Sequence, residues 1–184
     1  VNQYLNSQLN HQSQTGCFDV ADAPRKKDHF GDRVRITDWQ LRDADGRPVH
    51  ALRFGEPVTL TVNMTAVEPV RDGVFGMTLF TNEHQGLSFF STEQSAVRVD
   101  LEPGESGCVT LRFDSPRLMP GRYALGMSVR NALAVLDHVP RAGVIEVSEE
   151  QYRPGDAPYY HRAIVHNNGQ WAFDRAAAAI GKVA

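Results

Sequence analysis

The chain has 184 residues, 41% of them hydrophobic and 22% charged, with 19 Lys and Arg against 22 Asp and Glu for a net charge of −3. That is the length and composition of one globular domain, able to bury a core without a metal or disulfide staple. It excludes wholesale disorder. It also argues against a nucleic-acid partner, which calls for a basic excess, and no apolar run approaches the roughly 18 residues of a membrane helix.

Residues 1–16 hold seven Asn and Gln and no Lys, Arg, Asp or Glu, so they read as a linker or a frayed helical lead-in. The chain starts at Val1 with no charged-then-apolar leader, and it reads as an excised piece of a longer protein. Residues 17–30 are expected to stay irregular, with Arg25-Lys26-Lys27 as a solvated basic turn. Cys17 and Cys108 sit in unlike contexts and form no framework. Both are expected reduced, in a cytoplasmic protein.

From Gly31 the apolar period becomes two. Val34, Ile36, Trp39 and Leu41 form one set, with a phase break at Thr37-Asp38 that suggests a bulge. Asp43-Ala44-Asp45-Gly46 supplies a turn, because Asp-Gly tolerates positive φ. A calcium-loop reading fails there, since the twelfth position from Asp43 is Phe54 rather than Glu. Strands follow at 58–66, 74–81, 87–92, 97–101, 108–113 and 123–130, then as two short runs at 133–139 and 143–147 separated by Pro140. Leu101-Glu102-Pro103-Gly104-Glu105 and Pro120-Gly121 are turn signals.

No helix-period stretch interrupts residues 31–148, so crossover connections and a doubly wound sheet are excluded. The expected fold is all-β, an immunoglobulin-like or jelly-roll antiparallel β-sandwich with a C-terminal strand extension. Its expected core includes Trp39, Val62, Met77, Leu111, Leu125 and Val129. Residues 149–173 form an arm. Three of the five tyrosines lie at 152–160 beside Pro and Gly, and Asn167-Asn168-Gly169 signals a hairpin. Residues 174–184 form a tail or short helix. A lone hairpin is marginal in water, so the arm is expected to bury Ile164, Trp171 and Phe173 against a second copy, giving a homodimer.

Catalytic constellations are sparse. There is no Gly-x-x-x-x-Gly-Lys-Ser/Thr phosphate loop and no Gly-x-Ser-x-Gly elbow. The seven histidines are scattered, and His161 and His166, five apart, would point to opposite faces of a strand. No catalytic residue, metal or cofactor is expected.

The outward positions of three strands carry more information. They are Thr59, Thr61, Asn63 and Thr65 on the first, Gly76, Thr78 and Phe80 on the second, and Ala124, Gly126, Ser128 and Arg130 on the third. If the three share a sheet, its outer face offers small hydroxyls and an amide beside one aromatic and one guanidinium. Sugar hydroxyls need such donors and acceptors, and the C–H face of a sugar ring suits an aromatic. Thr61, Asn63, Thr78, Phe80, Ser128 and Arg130 are therefore the candidate carbohydrate contacts. An ordinary solvent-facing sheet, rich in Thr for its β-propensity, remains the alternative. So do a purely structural or protein-interaction sandwich and, further off, an all-β glycoside hydrolase.

The ordered turn motifs carry a family likeness. Val34-x-Ile36-x-x-Trp39-x-Leu41-x-Asp43-Ala44-Asp45-Gly46-Arg47-Pro48-Val49 precedes Phe54-Gly55-Glu56-Pro57-Val58-x-Leu60. Leu101-Glu102-Pro103-Gly104-Glu105 and Pro116-x-Leu118-x-Pro120-Gly121-Arg122-Tyr123-x-Leu125 follow. Over about 31–148 the chain resembles the C-terminal carbohydrate-binding domain of Wzt, the ATPase subunit of bacterial O-antigen polysaccharide ABC transporters. The resemblance implies an immunoglobulin-like sandwich that recognises the non-reducing end of a lipid-linked O-antigen. It implies a separate ATPase domain contacting the transporter's membrane subunit, at the cytoplasmic side of the inner membrane. It also implies that residues 1–16 tether that domain and that 149–173 are exchanged within a dimer. No fixed ligand motif transfers with it.

Overall fold

The computed structural model describes residues 17–25, 32–53, 56–81, 84–114, 118 and 120–148. The leader at 1–16, Lys26-Lys27, the arm at 149–173 with its hairpin signal, His161 and His166, and the tail at 174–184 lie outside the described residues.

Strands in chain order are β1 (Cys17–Asp19), β2 (Val34–Arg42), β3 (Pro48–Val49), β4 (Ala51–Leu52), β5 (Pro57–Ala66) and β6 (Val70–Phe80). Then come β7 (Gly86–Ser91), a 3-10 turn at Thr92–Ser95, β8 (Val99–Leu101), β9 (Ser106–Asp114), β10 (Gly121–Arg130) and β11 (Val135–Val147). They build two sheets. One runs β1-β2-β5-β9 with β3 added to β2; the other runs β4-β11-β10-β6-β7, with β8 beside β6. Pairing is antiparallel except for the short β4–β11 contact.

The alternation explains the layers. Leu60, Val62 and Met64 of β5 and Met77 and Leu79 of β6 are buried, while the residues between them face outward. Trp39, Val62, Met77, Leu125 and Val129 are each at most 1% exposed, as the pattern predicts. Leu111 is the exception, only half buried. It lies on β9, an edge strand of the first sheet, where the second sheet covers it incompletely.

The bulge expected near Thr37 is present, as a register shift between Ile36 and Asp38 against β5. It keeps Ile36 and Trp39 both inward despite their odd separation. The Asp43 turn closes through the Asp43 carboxylate, which accepts from the Asp45 and Arg47 amides at 3.0 and 2.8 Å. Gly46 and Gly104 hold their turns at φ of +77° and +80°, backbone that a side chain disfavours.

Three expectations change. Residues 17–19 are not irregular: β1 pairs with β2, and Phe18 stacks on Trp39 with ring centroids 3.9 Å apart. Arg25 is not a solvated turn residue. Its guanidinium donates to the carbonyls of Val20, Ala21, Ala23 and Ile36 at 2.6 to 3.0 Å, and to the buried Asp137 carboxylate at 3.3 Å. The other Asp137 oxygen accepts from the Ile36 amide at 2.8 Å. A sequence pattern could not pair residues 112 apart. Third, Pro140 does not separate two runs but lies within β11. There a register shift of β11 against Leu125 and Met127 of β10 removes the ladder bond that proline cannot make.

Candidate functional site

The three strands of the expected site do not share a sheet. β5 belongs to the first sheet, whereas β6 and β10 are neighbours in the second. Thr61 and Asn63 therefore lie on one outer face of the sandwich, and Thr78, Phe80, Ser128 and Arg130 on the opposite one. A single glycan end cannot touch all six. Local alternation reveals which residues point outward, but the pairing of distant strands decides which outward faces coincide.

On the first face, polar groups are largely spent on one another. Asn63 Nδ2 donates to Asp38 Oδ1 at 2.7 Å, and the Thr37 hydroxyl donates to Asp38 Oδ2 at 2.9 Å. The Thr65 and Ser106 hydroxyls bond at 2.9 Å. Cys17 lies 3.9 Å from Asp38 Oδ1. Its thiol pKa is raised by burial, and further by the negative charges of Asp38 and Asp19. No aromatic belongs to this face among the outward positions of β2, β5 and β9.

The second face is built differently. Cross-strand partners order it into rows. Phe80 lies opposite Ala124, which lies opposite Val144; Phe89 opposite Thr78, which lies opposite Gly126; and Ser91 opposite Gly76, then Ser128, then His138. The two glycines decide its shape. A Cβ on Gly76 would come within 3.1 Å of Phe89 Cε2, and one on Gly126 within 3.0 Å of Phe80 Cε2. Each phenylalanine thus lies diagonally across a glycine of the adjacent strand, ring against backbone. The Gly126 side is walled by the β11 bulge, whose Pro140 carbonyl would stand 3.2 Å from the same added Cβ.

Phe89 remains 53% exposed, which is unusual for an aromatic of this size on a sheet. Sequence reasoning identified Phe80 but omitted Phe89, although Phe89 follows the same outward alternation on β7. Thr78 and Ser128 lie half buried between the rings.

Charged groups rim the platform. At one end Arg141, in the β11 bulge, closely contacts the His84 ring from the β6–β7 loop. At the other, Arg130 donates to Glu93 at 2.9 Å, beside a hollow of about 370 Å³ lined by Asp72, Val74, Glu93, Arg98, Arg130 and Asn131. Arg130 is thus already partnered, by an ion pair whose members are about half exposed and weakly bound.

A separate crevice of about 290 Å³ opens between β9 and the β7–β8 segment, with Met64, Phe75, Phe90, Val109 and Leu111 in its walls. Among the described residues no cluster of three His, Cys, Asp or Glu could hold a metal. Among them, too, no helix is long and apolar enough to cross a membrane.

Comparison with known proteins agrees with this architecture. No curated protein matches in sequence. The crystal structure of the C-terminal domain of wzt superposes with a TM-score of 0.65 at 12% identity, covering 85% of this chain and 96% of that one. A putative beta-galactosidase from bacteroides fragilis matches at a TM-score of 0.34 and 19% identity, over 59% of this chain and 15% of that one. A beta-glucosidase from Listeria innocua in complex with glucose matches at a TM-score of 0.35 and 16% identity, over 60% of this chain and 16% of that one. The family model of the Wzt C-terminal domain matches residues 27–157, most of the chain. The chain belongs to the Wzt C-terminal domain family, and so is a C-terminal domain of an O-antigen ABC transporter subunit rather than a catalytic domain.

Proposed function

We propose that this domain binds the non-reducing end of its O-antigen polysaccharide on the outer face of the β4-β11-β10-β6-β7 sheet, without catalysis. The observation that carries the reading is the pair of phenylalanines, Phe80 and Phe89, whose rings reach over Gly126 and Gly76, with Thr78 and Ser128 beside them. Outward aromatic rings suit the C–H faces of sugars, and the half-buried hydroxyls suit sugar oxygens. Arg130 contacts an anionic substituent by exchanging its Glu93 partner, where the glycan carries one. Thr61 and Asn63, on the opposite face, do not take part in this site.

Two aromatics and a few neutral hydrogen bonds correspond to affinities on the order of micromolar to millimolar. A homodimer would raise the effective strength on a membrane-held glycan. Dimerisation through residues 149–173 is part of the proposal, supported by the half-buried Phe90, Val109 and Leu111 at the open crevice, which an added segment would cover. The domain then works at the cytoplasmic side of the inner membrane, joined to the transporter's membrane subunit through a separate ATPase domain.

The test is titration of the cell's own O-polysaccharide, released from lipid, into the 15N-labelled domain. Shifts at Thr78, Phe80, Phe89 and Ser128, lost in Phe80→Ala, are expected. Shifts confined to Thr61 and Asn63 on the other sheet would overturn the placement. Light scattering of a chain ending at residue 148 should show monomers; an unchanged dimer places the interface elsewhere.

A further inference from the structure

On the β2-β5-β9 face the hydrogen bonds lie toward the Asp38 end, where Asp38 holds Asn63 and Thr65 meets Ser106. The other end is built differently. Register across the three strands sets Arg42 opposite Thr59 and Thr59 opposite Arg112, about 13 Å along β2 from Asp38. With strands about 4.8 Å apart, the two arginines start about 10 Å from one another with the threonine between them. The three residues border a hollow of about 170 Å³, closed on its other sides by Pro57 and the Asp43–Gly46 turn.

Arg42 is half buried, and its Nη1 donates to the Gly46 carbonyl at 2.7 Å, which holds the guanidinium against the turn. That bond leaves most of its five N–H donors unused. Among the described residues no carboxylate lies within ion-pairing distance of Arg42 or Arg112, and the half-buried Thr59 hydroxyl has no hydrogen-bond partner. Asp43 is the carboxylate in the wall, and its Oδ1 is taken by the Asp45 and Arg47 amides. Two cations and a spare hydroxyl around one hollow call for an anion. A carboxylate saturates one guanidinium fork, whereas a phosphate group presents oxygens on several sides, enough for both forks and the hydroxyl.

The geometry points to a phosphate-binding site at the Arg42–Thr59–Arg112 row, separate from the glycan face on the opposite sheet. The phosphate belongs either to a soluble ester or to a phospholipid headgroup, which offer the site the same oxygens.

The experiment is a 15N titration of the domain with inorganic phosphate and with glycerol 3-phosphate, against sodium chloride at matched ionic strength. Phosphate should shift Thr59, Arg112 and the Arg42 side-chain Nε signal, with an affinity on the order of millimolar. Arg112→Gln and the near-isosteric Thr59→Val should each weaken it about fivefold or more. Asp43→Asn keeps an oxygen for the two amides while removing the negative charge, and should tighten it about threefold. Sedimentation with phosphatidylglycerol vesicles assigns the source. Binding that requires Arg112 names the headgroup, and binding of glycerol 3-phosphate without vesicle binding names a soluble ester. Chloride shifting the row as strongly as phosphate, or Arg112→Gln binding phosphate as tightly as the parent, would overturn the inference and leave the glycan reading intact. Released polysaccharide that shifts this row instead of the opposite sheet would overturn both.

Discussion

The two outer faces of the sandwich are made from the same alternating strands, yet among the described residues they spend their polar groups and place their aromatic rings differently. On the β2-β5-β9 face, Thr, Asn and Ser are plentiful, and Asp38, Asn63, Thr65 and Ser106 are bonded to each other. On the β6-β10-β7 face hydroxyls are fewer, and glycines let neighbouring phenylalanines lie against the backbone. The proposed placement of the glycan therefore does not follow the face richer in sugar-compatible groups. What matters is whether those groups are already satisfied, and whether small residues create relief for a ring to fill.

The largest expected effect comes from the joint under both faces. Asp137→Ala leaves the Arg25 guanidinium buried without its carboxylate and the Ile36 amide without its acceptor. It should cost about 3 kcal/mol or more by urea denaturation, loosening both faces alike. A cost under about 1 kcal/mol would mean that Arg25 is held by the carbonyls alone.

Gly126→Val separates the faces. Its side chain would displace the Phe80 ring and press on the Pro140 carbonyl, at a cost of about 1–3 kcal/mol. Glycan binding should fall more than tenfold, while the Asp38–Asn63 face keeps its native chemical shifts. Retained binding would show that Phe80 does not need its place over Gly126.

Phe89→Ala is a purer binding change, since the ring is already 53% exposed. Stability should move by at most about 1 kcal/mol, and affinity should drop about tenfold in calorimetry. Asn63→Ala is the matching control on the other face. It should alter binding not at all and stability by about 0.5 kcal/mol, the value of an exposed hydrogen bond. A loss of affinity there would reverse the assignment of faces.

The smallest effect is chemical. Burial and the Asp38 charge hold the Cys17 thiol above its ordinary pKa, so less thiolate exists at a given pH. Its alkylation should rise with pH later than that of an ordinary thiol. Asp38→Asn removes one cause and should move the midpoint down. At pH 8 Cys17 should react more slowly than the exposed Cys108; equal rates would deny the local field its role.

Period-two alternation from Val34 to Val147 fixed the all-β class, the inward set around Trp39, Val62, Met77, Leu125 and Val129, and the bulge at Thr37. These are local consequences of pleated geometry and of avoiding a buried polar phase, so a single sequence carries them. The same alternation marked Phe80, Thr78, Ser128 and Arg130 as outward. It could not show that β5 belongs to the other sheet, that Arg25 reaches Asp137, that Leu111 sits at an open edge, or that Gly76 and Gly126 seat two phenylalanines. Those facts depend on which strands hydrogen-bond across long stretches of chain. That choice is set by the joint packing of two sheets on one core, and no local pattern encodes it.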